Sequence, residues 1–250
     1  MSELSEVKII GTGTISGGEY SEVSISGKAQ ANGDLICKEI KVIGGFNCKK
    51  NVECSGEFKS NGYCTVTENL KVKDLKTSGK FSVNGNLIVT GEMSTGGTIE
   101  CKGKIRAAKI ESTGSIKCVS DIEAENISIA GTLMCDGLVN AENLNLKMET
   151  QKMRVGSIGG GMITVYPGYT DNPVNKITPL KKVLKAINTG CKLVVSESIE
   201  GDIVNLECVE APIVCGRIVI LGDGCIIGKV QYTEKLEIAE GATVEEEIKI

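Results

Sequence analysis

Eleven cysteines are the side chains of this sequence best equipped for chemistry, and no histidine accompanies them. A cysteine nucleophile ordinarily owes its thiolate to a neighbouring base, most often histidine. A thiolate metal site ordinarily uses close pairs such as CxxC, and the chain contains none. Histidine-based triads, general bases and metal ligands are ruled out together. Two carboxylate pairs, Glu200 with Asp202 and Glu207 with Asp223, have the residue types for the acid–base work of β-helical carbohydrate enzymes. Such enzymes also need aromatic platforms for sugars, and only 3% of these residues are aromatic. The run Gly156-Ser157-Ile158-Gly159-Gly160-Gly161 is glycine-rich but lacks the Gly-Lys-Ser/Thr ending of a phosphate loop, and it reads as corner turns. The sequence predicts no catalytic residue, no cofactor and no metal, hence a protein that is not an enzyme.

The elements that would carry these side chains show as a repeat. Phe81, Ile99, Ile116 and Leu133 are spaced 18, 17 and 17 residues apart, and their i+2 partners Val83, Cys101, Cys118 and Cys135 keep the same steps. A second column runs Leu70, Leu87, Ile105, Ile122, Val139, and a third Met93, Ile110, Ile127, Leu144. The columns extend back through Cys64 and Phe46, Val52 and Leu35, and Cys54, Cys37 and Tyr20. An i, i+2 apolar pair is one face of a short strand. Three pairs per 17–18 residues predict a triangular β-helix, an all-β solenoid with like residues stacked along its axis. Phe81, Ile99, Ile116, Leu133, Val83, Cys101, Cys118 and Cys135 then form a core stack, with the thiols as small apolar filler. A thin interior has little room for rings, and glycines such as Gly79, Gly85, Gly91, Gly103, Gly114 and Gly131 mark corners.

The pattern predicts β-helix over 1–165, a loop and helix insertion over 166–190, and renewed coils over 191–250. Leu146 to Ile163, Val204 to Leu221 to Ile238, Val219 to Leu236, Ile213 to Val230, Cys215 to Tyr232 and Ile227 to Val244 are all steps of 17. Between the two stretches, Thr178 suits a helix N-cap, Pro179 its first turn and Gly190 its stop. Leu180, Val183, Leu184 and Ile187 form an apolar stripe, with Lys181, Lys182 and Lys185 beside it. Two readings stay open: one solenoid with an insertion, or two stacked β-helical domains split near 166–190.

The period is shared by the hexapeptide-repeat acyltransferases, but their reaction needs a histidine base. A histidine-free, short-coil β-helix with glycine-led apolar pairs instead resembles the bactofilins, polymer-forming bacterial cytoskeletal proteins. The stretch Gly222-Asp223-Gly224-Cys225-Ile226-Ile227-Gly228-Lys229-Val230-Gln231-Tyr232 through Val244 is similar to that family's closing coils. The resemblance implies a right-handed β-helix, nucleotide-free end-to-end assembly into filaments, and scaffolding in cell shape, motility or envelope-enzyme positioning. It implies a homo-polymer, with a paralogue as an occasional co-assembler and envelope-associated proteins as partners.

Physics points to the same surfaces, because each end of a β-helix leaves a row of strand edges to be capped or paired. Ile9, Ile10 and Ile15 on the first coil, and Leu236, Ile238, Val244, Ile248 and Ile250 on the last, are the expected polymer interface. A net charge of −4 without a basic block argues against nucleic acid. The opening Met1-Ser2-Glu3-Leu4-Ser5-Glu6 lacks signal-peptide character, and scattered free thiols fit a reducing cytoplasm. Direct membrane binding is not expected; a peripheral position at the inner face of the membrane would come through partners. The alternative function is an interaction module that binds a partner through 166–190 without forming filaments.

Overall fold

The computed structural model describes residues 4–149, 152–168 and 192–250. The regular elements among them are parallel β-strands wound as a β-solenoid, with no α-helix. Contacts divide the chain at Ala124 and Glu125 into two units.

The first unit contains β1 (Glu6–Ile15), β2 (Gly18–Ala31), β3 (Leu35–Cys48), β4 (Val52–Val66), β5 (Leu70–Thr77), β6 (Lys80–Val83), β7 (Leu87–Thr95), β8 (Thr98–Cys101), β9 (Ile105–Ser112) and β10 (Ser115–Cys118). Each coil presents three inward pairs. In one coil these are Leu70/Val72, Leu75/Thr77 and Phe81/Val83; in the next, Leu87/Val89, Met93/Thr95 and Ile99/Cys101. The register joins Phe46, Cys64, Phe81, Ile99 and Ile116 in one column and Leu35, Val52, Leu70, Leu87 and Ile105 in another. These residues are all buried, and each such aliphatic side chain contributes roughly 1.5–3 kcal/mol.

Rings do enter this narrow interior, contrary to the expectation of little room for them. Phe46, Phe58 and Phe81 are fully buried and meet edge to face, with centroids 6.3 and 5.1 Å apart. Two sides of the triangle supply them at consecutive levels, so each ring fills the space beside the next.

Three axial rows that apolar spacing does not reveal hold the corners. Gly11, Gly27, Gly44 and Gly62 are register partners, and Gly79, Gly97 and Gly114 continue the row. A Cβ on Gly97 would lie 2.0 Å from the carbonyl oxygen of Gly79, and one on Gly114 1.9 Å from that of Gly97. Inside that corner runs a buried hydroxyl column, Ser60, Thr77, Thr95 and Ser112. Thr77 and Thr95 hydrogen-bond at 3.0 Å, and Thr95 and Ser112 each accept an N–H from the glycine two residues on. At another corner, Asn51 donates its backbone N–H and Nδ2 to Oδ1 of Asp34 (3.0 and 2.9 Å), and Asn69 repeats both bonds to Asn51. Asn86 and Lys104 extend the ladder through their backbone N–H groups. The two Asn51 hydrogen bonds hold the Asp34 carboxyl below the usual carboxylate range.

The second unit takes most of β11 (Ile122–Met148), then β12 (Met153–Pro167), β13 (Leu193–Val195), β14 (Ser198–Leu206), β15 (Val209–Leu221), β16 (Ile226–Ile238) and β17 (Thr243–Lys249). The segments on either side of 169–191 are direct neighbours: Met153–Val155 pair with Leu193–Val195, and Ile158–Val165 with Ile199–Leu206. The strands from Leu193 onward therefore continue the coils that precede the break. The helix expected over 179–189 lies outside the described residues. Tyr166 and Pro167, expected to open the loop, still belong to β12 and pair with Lys147 and Met148.

The steps of 17 hold only in part here. Leu146 pairs with Val165, and Ile163 with Leu144. Val204 pairs with Val219 and Leu206 with Leu221, steps of 15. Val219–Leu236, Leu221–Ile238 and Ile227–Val244 are paired at 17. Ile213 pairs with Lys229 and Cys215 with Gln231, not with Val230 and Tyr232. Corner length is the cause. Pro212 alone turns the corner that Ser196 and Glu197 turn one coil earlier, whereas Thr233 and Glu234 stand where the previous coil has only Arg217. Register partners share a direction, so Val214, paired with buried Val230, is buried, and Ile213, paired with Lys229, is exposed.

Candidate assembly surfaces

The expected interface residues fall into three classes. Val7 and Ile9 of β1 occupy the inward register of Val23 and Ile25, which are buried. With no strand beneath β1 among the described residues, Val7 and Ile9 remain half-buried. Ile9 leans across the first coil, its side chain within 3.0–3.3 Å of where a Cβ on Gly13 would stand. Tyr20 fills the inward position below Cys37 and donates its hydroxyl to the Gly17 carbonyl. Ile15 is already buried, 3% exposed, and offers little to a partner. Ile10 is 76% exposed but pairs with Ser26 in an outward column that continues to Ile43. It belongs to the flank and not to the end.

At the other end, Leu236 and Ile238 lie over the buried Val219 and Leu221, and Val244 lies over Ile227. They keep the inward register but stay half-buried or exposed. Ile248 pairs with Gln231 on the outside, and Ile250 is 74% exposed, its N–H donated to the Tyr232 carbonyl. Glu247 was not among the expected residues. It pairs with Val230, so it closes the inward column of Ile199, Val214 and Val230 with a carboxylate. A charge in the inward register of an edge strand weakens edge-to-edge pairing. Its signal was legible only as the acidic run Glu245-Glu246-Glu247, which by itself reads as a solvated face.

The cysteines are structural, but they do more than fill space. Cys48, Cys101 and Cys118 occupy one inward column with Val66 and Val83, each at the end of a side. Their thiols donate to corner carbonyls: Cys101 to Gly85 (3.4 Å), Cys118 to Gly103 (3.3 Å), and Cys48 to Gly33 and Asn51 (3.7 Å each). In the other column Cys54 donates to Lys38 at 3.2 Å. Burial pushes Cys64 and Cys225 up to about 11. Hydrogen bonding to Cys54, with burial, raises Cys37; hydrogen bonding to Cys118, with burial, raises Cys101. Raised, buried thiols are the opposite of nucleophile conditions; Cys54 alone among these is lowered, by its hydrogen bond with Cys37.

The outer faces are laced with ion pairs between coils. Lys71 meets Glu53 at 2.6 Å, Lys76 meets Glu57 at 2.8 Å, and Arg106 meets Glu123 at 2.6 Å. Exposed pairs of this kind are worth roughly 0–1 kcal/mol each. Of the carboxylates weighed for acid–base work, Glu200 and Asp202 are exposed, with Ser198 donating to Glu200 at 3.1 Å, and Glu207 and Asp223 are half-buried. Among the described residues, no group of three or more Cys, Asp or Glu is arranged to hold a metal ion. No helix there is long and apolar enough to cross a membrane.

A stretch of 56 residues is 41% identical to YhbF, an uncharacterized protein of Bacillus subtilis (strain 168). The match spans 22% of this chain and 24% of that protein. No family model matches the sequence, and no solved structure matches it.

Proposed function

We propose that this protein is a non-enzymatic structural polymer whose solenoid coils assemble end to end into filaments, in the manner of the bactofilins it resembles. The reading rests chiefly on one observation. The first and last described coils carry aliphatic residues in the inward register without a covering strand: Val7 and Ile9 at one end, Leu236, Ile238 and Val244 at the other. Elsewhere the same register positions are buried by the next coil. A second copy stacked on either edge would pair the open backbone groups and bury these side chains. In this reading the filament is a scaffold for bacterial cell organisation, in shape, motility or envelope-enzyme positioning. Its place is cytoplasmic, with any approach to the membrane made through partners.

Negative-stain electron microscopy with sedimentation velocity on the purified protein tests the reading. Filaments or a concentration-dependent ladder of oligomers are expected. A strict monomer at high concentration overturns it.

A further inference from the structure

Two pairs of cysteines in the first unit are stacked one coil apart. Cys37 is the register partner of Cys54, and Cys101 of Cys118. All four side chains point into the core and are between 2% and 4% exposed. The two thiols of each pair are within hydrogen-bonding reach of one another. Each thiol stands at the last inward position before a corner, so only a turn of chain separates it from water. Beside Cys54 that turn is loosened, because Ser55, Gly56 and Glu57 stand where the coil before has Lys38 and Glu39. Two other inward thiols have no cysteine as register partner: Cys48 pairs with Ala31 and Val66, and Cys64 with Phe46 and Phe81.

We propose that each stacked pair is a two-coordinate site for a soft, thiol-seeking divalent cation of the mercury(II) kind. The spacing selects a linear bis-thiolate. Neighbouring strands lie about 4.8 Å apart, and two metal–sulfur bonds of about 2.3 Å laid end to end span about 4.6 Å. A disulfide would instead need the two Cβ atoms to close to about 3.5–4.5 Å. Tetrahedral ions lack ligands here: the chain has no histidine, and among the described residues no third Cys, Asp or Glu joins either pair. Softness follows from the donors, since thiolate sulfur favours polarisable ions over hard, strongly hydrated ones. Charge selects the valence. Binding forms two metal–sulfur bonds, breaks two S–H bonds and releases two protons to solvent. With a divalent ion the product is neutral; with copper(I) or silver(I) it is a buried anion, which an apolar core disfavours. The backbone sharpens that choice. Carbonyl oxygens of Lys38 and Glu57 lie 3.2 and 3.5 Å from Cys54 Sγ, and those of Gly103 and Asp121 lie 3.3 and 3.5 Å from Cys118 Sγ. Such oxygens repel a bare thiolate anion and suit an electron-poor metal.

Titration of the reduced full chain with mercury(II), supplied as its bis-glutathione complex, tests the assignment. The readouts are the ultraviolet thiolate-to-mercury absorption and the metal content after desalting. One ion per pair is expected to transfer, because a preformed pair of thiols outcompetes two separate ones. Valine already fills the same inward columns at Val72 and Val83, so Cys54→Val and Cys101→Val keep the packing. Each variant is expected to lose one ion, its remaining thiol binding about 100-fold or more weakly, and the double variant to lose both. Cys48→Val is expected to change nothing. Far-UV circular dichroism is expected to show the strands intact with metal bound. No transfer to the wild type overturns the proposal, and so does unchanged metal content in the double variant. Loss of strands in step with binding also overturns it, because the thiols would then be those of an unfolded chain.

Discussion

The thiols show how little a residue's type says about its task. Buried cysteine, as at Cys48, Cys101 and Cys118, is a donor that ties a coil end to a neighbouring corner carbonyl. Its acidity follows. Cys64 and Cys225 keep their protons to about pH 11 when folded, against an ordinary value of 9.0. Between those values the unfolded chain has lost protons that the folded chain retains, so stability falls as pH rises from about 9 to about 11; below 9 both states are protonated and these groups contribute no slope. At up to about 1.4 kcal/mol per unit, the loss is visible in urea midpoints measured across that range. Cys64→Ala should flatten the slope. A slope unchanged in that variant would assign the alkaline loss to other groups. The amide ladder makes a second claim. Replacing Asn69 by Ala strips Asn51 Oδ1 of its side-chain donor, leaving the backbone N–H of residue 69, and strips Asn86 N–H of its acceptor. A cost of about 1–3 kcal/mol is expected in chemical denaturation.

A coil is held at its corners as much as along its sides. Gly96 and Gly97 are neighbours with opposite constraints. A Cβ on Gly96 would come no nearer than 3.7 Å to Thr113 Oγ1, whereas one on Gly97 would collide with the Gly79 carbonyl at 2.0 Å. Gly97→Ala is expected to cost about 3 kcal/mol or more, and Gly96→Ala to stay within about 0.5 kcal/mol, read as thermal midpoints of the two variants. The reason for glycine at position 97 is the close stacking of coils, which no single coil reveals. This also explains what was readable in advance. Apolar pairs at 17–18 residues followed from the inward faces of the first unit, where corners keep nearly constant length. In the second unit the same spacing linked Val204 to Leu221 and Ile213 to Val230, neither of which is a pair. Val204 and Leu221 both lie inward, so the first error was silent. The second was off by one residue, at the corner that Pro212 turns alone, and placed Ile213 on the wrong face. The Asp34–Asn51–Asn69–Asn86 ladder had a regular spacing too, but its polar residues lay outside a search for apolar columns.

End-to-end assembly, as proposed, depends on two unlike edges. One offers Val7 and Ile9 without an inward charge; the other offers Leu236, Ile238 and Val244 but closes with Glu247. Leu236→Asp or Ile238→Lys is expected to shorten or abolish filaments, as seen in length distributions by electron microscopy. Glu247→Val should lengthen them, because it continues the column of Val214 and Val230 to the edge. Unchanged lengths in all three variants would remove that edge from the contact. The sequence by itself determined the solenoid class, its period and most inward columns, because one buried side chain per strand step leaves a periodic trace in the residue types. It also determined the absence of histidine chemistry. Only the tertiary structure decided which coil lies on which, where the glycine, hydroxyl and amide rows run, and that Glu247 occupies an inward place. Those properties belong to pairs of residues some 15 to 41 positions apart, and their register is set by the summed lengths of corners that carry no apolar signal of their own.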